Sequence, residues 1–115
     1  MRPETALQRQ MRDYLGKRGL RSVAVPNGAV LRGDKVERSI QMASLKRDGL
    51  TPGFPDLIVF GKGGRIGFIE VKVEGNYQTP SQVECERWLN EFGQPVAVCR
   101  SLPDIDETLV KWGWA

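Results

Sequence analysis

The stretch GFPDLIVFGKGGRIGFIEVK, Gly53 to Lys72, holds two apolar runs joined by a glycine-rich turn. Residues 56–60 and 65–73 are rich in β-branched and aromatic side chains, and Gly61-Lys62-Gly63-Gly64 separates them. That pattern reads as a β-hairpin. Three charges spoil it: Asp56 opens the first run, and Glu70 and Lys72 interrupt the second. A charge inside a sheet costs free energy unless something compensates it.

The register of the hairpin decides what those charges do. Side chains alternate across a strand, so Phe68, Glu70 and Lys72 share one face, and Ile69, Val71 and Val73 fill the other. Asp56 precedes Glu70 by fourteen residues. A three-residue loop centred on Gly63 sets Asp56 opposite Glu70, whereas a two-residue Gly63-Gly64 turn sets it opposite Val71. The charge pattern favours the first register, or a bulge that reaches the same end.

Working outward, the N-terminal flank predicts a helix over 3–18. Pro3 suits its first turn, and Leu7, Met11, Tyr14 and Leu15 form an apolar stripe. Glu4 lies one turn before Leu7 and is expected to extend that stripe. Residues 20–25 read as a short strand closed by the turn Pro26-Asn27-Gly28. A basic loop over 29–35 leads to a helix over 36–48, with Val36, Ile40 and Ala43 expected inward and Gly49 as its stop. Beyond the hairpin, Thr79-Pro80-Ser81-Gln82 is a capping-box start for a third helix. Its expected inward stripe is Cys85, Trp88, Leu89 and Phe92. Residues 95–100 predict a strand and 102–112 a last helix, with Trp112 and Trp114 as core or interface anchors.

The order is α-β-α-β-β-α-β-α. A right-handed crossover from the hairpin to the last strand makes that strand parallel to one hairpin strand. The fold class is therefore α/β, a mixed four-stranded sheet with helices on both faces. The 115 residues, 1–115, suffice for one domain with one core.

Composition narrows the chemistry. The chain has no histidine and two cysteines, Cys85 and Cys99, without CxxC spacing. His/Cys zinc sites and Ser-His or Cys-His catalysis are thereby excluded, and two reduced buried thiols are expected. The N-terminus lacks the apolar core of a signal peptide, and no apolar run spans a bilayer. The expected location is the cytoplasm, with no membrane partner. The net charge of +3 is uneven: residues 1–50 carry eleven Lys/Arg against five Asp/Glu. A basic half fits a polyanion such as nucleic acid, or simply a solvated surface; Arg32, Lys35, Arg38, Lys46 and Arg47 are its candidate phosphate contacts.

Two opposed carboxylates repel if both are ionised. A hard cation such as Mg2+ removes that repulsion, because it takes oxygen ligands and accepts one or two carboxylates. An ammonium two residues beyond the second carboxylate can hold a metal-bound water, or neutralise charge developing on a phosphate. Asp56, Glu70 and Lys72 thus supply the minimum for metal-assisted phosphodiester cleavage. Each has a plainer reading alone: a turn aspartate after Pro55, and a weak exposed ion pair at a sheet edge.

Pro55-Asp56 followed by Glu70-Val71-Lys72 resembles the PD-(D/E)xK nuclease signature. The ordered set Glu4, Pro26-Asn27, Lys46 in a helix leading to Gly53-Phe54-Pro55-Asp56, Glu70-Val71-Lys72 and Gln82 is similar, more narrowly, to the stand-alone phage and bacterial type of the VRR-NUC family. The resemblance covers nearly the whole chain. It implies a restriction-endonuclease-like core and a Mg2+- or Mn2+-dependent endonuclease acting on DNA, with no nucleotide cofactor. Asp56, Glu70 and the main-chain carbonyl of Val71 would hold the metal, with Glu4 reaching it through a water. Lys72 would be the catalytic lysine, and Gln82 would orient Lys72 or a phosphate. Asn27 has a turn as its alternative role. The resemblance further implies a homodimer on branched, Holliday-junction-like substrates, in a bacterial or phage-infected cytosol. Flap, nicked or linear DNA, RNA, and a catalytically silent nucleic-acid-binding module are the other readings.

Overall fold

The structure is a computed structural model that describes residues 1–26 and 31–115. Asn27, and the first part of the expected basic loop, lie outside the described residues.

The elements follow the expected order: α1 (Pro3–Lys17), β1 (Arg21–Ala24), α2 (Lys35–Arg47), β2 (Leu57–Gly61), β3 (Arg65–Val71), α3 (Pro80–Glu91), β4 (Val96–Cys99) and α4 (Leu102–Lys111). The sheet runs β1-β2-β3-β4, antiparallel across the first two pairings and parallel between β3 and β4. It is the mixed four-stranded sheet that the sequence predicts. Gly61 pairs with Arg65, so the hairpin turn is the three-residue loop centred on Gly63. Gly63 and Gly64 both take φ of +80°, a conformation that glycine adopts without strain.

One face of the sheet carries the main core. Leu57, Val59, Ile69, Val71 and Cys99 pack there against Met11 and Leu15 of α1 and Ile105 and Leu109 of α4. Gly67 faces the same way because a Cβ there would lie 2.4 Å from the Trp112 ring. Trp112 is thus an anchor of the core, and the Tyr14 hydroxyl donates to Asp106 to tie α1 to α4. The other face is covered by α3 through Phe54, Phe68 and Trp88, whose rings meet at 5.6 and 6.2 Å. Cys85 and Cys99 are buried free thiols, and burial pushes the Cys99 thiol up to about 11.

Two expectations about inward residues are corrected. Val36, Ile40 and Ala43 of α2 are exposed, and among the described residues α2 packs on no other element. Periodicity marks an apolar stripe but does not supply a partner for it. Phe92, the last residue of the α3 stripe, is also exposed. It is the C-cap of α3, past the helix body, and meets the Trp88 ring at 6.0 Å.

Strand directions place the connections. β1 ends, β2 begins, and β3 and β4 end at one edge of the sheet. The 25–56 connection with α2, the 72–79 loop and the β4–α4 junction therefore gather there. α1, α3 and α4 also begin at that end, and helix N-termini favour negative charge nearby.

Candidate active site

Asp56, Glu70 and Lys72 sit at this common end. Leu57 pairs with Ile69, so the next residues outward, Asp56 and Glu70, face each other across the hairpin. Asp56 stands one residue before β2 rather than in it. Its carbonyl accepts from Val25 at 2.8 Å, and its carboxylate Oδ2 accepts from the Val71 N–H at 2.8 Å. The side chain is thus fastened to the strand that carries Glu70. Lys72 lies one residue past β3, yet its N–H still donates to Cys99 at 3.1 Å and extends the parallel ladder.

Burial makes these charges unusual. Glu70 is 2% exposed and Lys72 8%. Burial, then the nearby Asp56 charge and a hydrogen bond with Asp56, push the Glu70 carboxyl up to about 8. Lys72 opposes that shift, and Glu4 adds to it slightly from the start of α1. Glu4 is half-buried, within electrostatic range of the pair.

Gln82 performs two tasks with one amide. Its Oε1 accepts from the Thr79 N–H at 2.8 Å, which completes the capping box of α3. Its Nε2 donates to Glu70 Oε1 at 2.7 Å. The sequence pointed Gln82 at Lys72 or a phosphate; the side chain it meets here is Glu70. Gly53 allows this approach. Its φ is +81°, and a Cβ there would lie 2.4 Å from the Ser81 carbonyl carbon and 2.6 Å from the Gln82 nitrogen. The Gly53–Asp56 loop can therefore lie flat on the first turn of α3, and one turn further Cys85 donates to the Pro52 carbonyl at 3.3 Å.

The donor set fits a hard divalent cation. Asp56 Oδ2 accepts from the Val71 N–H and Glu70 Oε1 from the Gln82 amide, and the two carboxyls share a hydrogen bond whose proton would have to leave before both could serve an ion as oxygen donors. Among the described residues no three His, Cys, Asp or Glu side chains form a ready metal cluster; Asp56 and Glu70 are the two carboxylates that could hold an ion here, with Glu4 within electrostatic range of Glu70. Arg32, Lys35, Arg38, Lys46 and Arg47 are exposed on α2 and the segment before it.

Sequence reasoning missed two neighbours. Val71 pairs with Cys99, so the next register step sets Arg100 beside Lys72 on the same face. The Arg100 guanidinium lies over the Tyr77 ring at 5.7 Å and donates to the Asn76 carbonyl at 2.6 Å. The period of two that grouped Glu70 with Lys72, carried across to residues 95–100, would have found Arg100. Tyr77, in a loop, left no periodic signal.

The domain is of nuclease type, as its match to a VRR-NUC domain profile shows. The chain belongs to the VRR-NUC family, whose domain profile matches residues 2–103. Among solved structures it is similar to one described as a VRR_NUC domain, with 22% identity, 94% of each chain covered and a TM-score of 0.65. At that identity the likeness shows the fold. A second, described as a VRR_NUC domain protein, has 29% identity over 61% of this chain and 60% of its own, with a TM-score of 0.52. No curated protein matches the chain. Among the described residues no helix is long and apolar enough to cross a membrane.

Proposed function

We propose that this chain is a Mg2+- or Mn2+-dependent endonuclease that hydrolyses DNA phosphodiester bonds at branched, Holliday-junction-like structures, as a homodimer. The observation that carries the chemistry is the Asp56–Glu70 pair, facing each other with Lys72 one alternation farther along the same face. Asp56, Glu70 and the Val71 carbonyl would hold the ion, with Glu4 acting through a water. When bound, the ion supplies Lewis-acid activation of water and of the scissile phosphate. Lys72 places its ammonium against charge developing on the phosphoryl oxygens. The Val71 N–H and the Gln82 amide fix the two carboxylates, so little reorganisation remains on substrate binding. Arg32, Lys35, Arg38, Lys46 and Arg47 would grip the backbone by charge alone, independent of sequence.

Two uncovered apolar surfaces support the dimer. One is the α2 stripe of Val36 and Ile40. The other is the part of the sheet with Val23, Phe60 and Ile66, all exposed. A two-fold dimer would bring two sites to one branched substrate.

One panel tests the reading. Purified protein is incubated with four-way junction, flap, nicked, linear and single-stranded DNA, and with RNA, in Mg2+ or EDTA. Symmetric cutting of the junction in Mg2+ alone is expected. Preference for another substrate overturns the junction reading, and no metal-dependent cutting of any substrate overturns the nuclease. Gel filtration at micromolar concentration is expected to give a dimer; a monomer alone removes that part.

A further inference from the structure

We propose that Tyr77 and Arg100 form a stacking platform for an unpaired nucleobase, next to the Lys72 face. The proposal rests on the nuclease reading and names what the site takes besides a phosphate.

Three observations converge. Tyr77 is 79% exposed, in the loop that leaves Lys72 directly. A lone exposed aromatic is ordinary on a protein surface. This one is not left to find its own orientation, because the Arg100 guanidinium lies over its ring at 5.7 Å. Arg100 is fixed in turn by its bond to the Asn76 carbonyl, one residue before Tyr77, and by the 2.8 Å bond from its own N–H to Asp104 Oδ2. The loop is closed at its start by the Asn76 N–H to Val73 carbonyl bond at 3.1 Å. Ring and cation are therefore positioned before any ligand arrives, which lowers the ordering cost of binding.

The third observation is place. The β3–β4 register sets Arg100 beside Lys72, so the platform adjoins the phosphate-handling face. An exposed tyrosine backed by a guanidinium is the chemistry that stacks a splayed base, because every base offers a π-face. Duplex DNA keeps its bases stacked inside and offers none. The platform would therefore prefer substrates with unpaired nucleotides, as at the centre of a junction or the base of a flap.

Binding measured in EDTA, at one fixed salt concentration, tests this without cutting. The probes are a single-stranded oligonucleotide carrying the fluorescent base 2-aminopurine and a blunt duplex of equal length. Tyr77→Ala is expected to weaken single-strand binding about ten-fold, to abolish quenching of the fluorescent base, and to leave duplex binding unchanged. Tyr77→Phe keeps the ring and is expected to match the wild type. Equal binding by Tyr77→Ala, equal losses on both probes, or a Tyr77→Phe loss as large as that of Tyr77→Ala each overturns the platform. So does a wild type that does not bind the single strand. If the wild type cuts nothing in Mg2+, the nuclease reading fails separately, whatever the binding comparison shows.

Discussion

The two faces of β3, one apolar and one carrying ionisable groups, differ in kind. Gly67, Ile69 and Val71 point into the core beneath α1 and α4, where Ile69 and Val71 are fully buried. Phe68, Glu70 and Lys72 point the other way; they are buried too, but two of the three carry ionisable groups. One face exchanges water for packed hydrocarbon, at about 25 cal/mol per Å2. The other holds ionisable groups out of water at a cost that neighbouring polar groups offset only in part. Packing is thus concentrated on one face and the buried ionisable groups on the other, and successive residues alternate between them.

The largest expected effect separates those roles. Lys72→Ala should lower the rate of cleavage by roughly 10²–10³-fold while the melting temperature changes little. Ile69→Ala, three residues before it on the opposite face, should cost about 2–5 kcal/mol of stability and leave the rate per folded molecule near that of wild type. Urea melts beside single-turnover cleavage read both. If Ile69→Ala slows cutting as much as Lys72→Ala does, the faces are not separate.

Gly53→Ala comes next. A methyl group there meets the Ser81 and Gln82 backbone in a conformation with positive φ. The cost should be about 1–3 kcal/mol, with a loss of cleavage because the loop lifts Asp56 away from Glu70. A variant that melts and cuts like the wild type would show that the loop does not set the site.

A smaller effect follows from protonation. The Glu70 carboxyl is raised from 4.5 to about 8 in the folded protein. Between those values the folded state holds more protons than the unfolded state, so the stability of metal-free protein should fall as pH rises from 4.5 towards 8. Glu70→Gln should flatten that slope. Mg2+ affinity should rise over the same window, since the proton must leave before the carboxylate can bind. A wild-type slope unchanged in Glu70→Gln would move the titration to another group.

The smallest effect lies outside both faces. Among the described residues α2 packs on no other element, so changing Val36 and Ile40 to serine should alter monomer stability by no more than about 0.5 kcal/mol each. It should nevertheless shift the gel-filtration peak to the monomer if α2 takes part in the dimer. An unchanged dimer places the contact elsewhere.

Much of this was legible in the sequence, and the part that was not has physical reasons. The hairpin register could be read because a period of two and a three-residue glycine turn leave one arrangement in which the carboxylates meet. The α3 start could be read because capping is local: Thr79 and Gln82 satisfy each other within four residues. The exposure of α2 was hidden, since a periodic stripe looks the same whether or not a partner exists. The second task of Gln82 was hidden for a similar reason, because its capping role explains the residue fully without Glu70. Arg100 required a pairing between β3 and β4 across an intervening helix, and such a non-local register has no turn to announce it.

The Asp56–Glu70 pair is tested most directly by crystals grown with Mn2+, using the anomalous scattering of the ion. A strong peak between the two carboxylates, absent from Asp56→Asn crystals, is the expected result. A wild-type map with no peak there at millimolar Mn2+, in protein that cuts DNA, would contradict the assignment of the pair as the metal site.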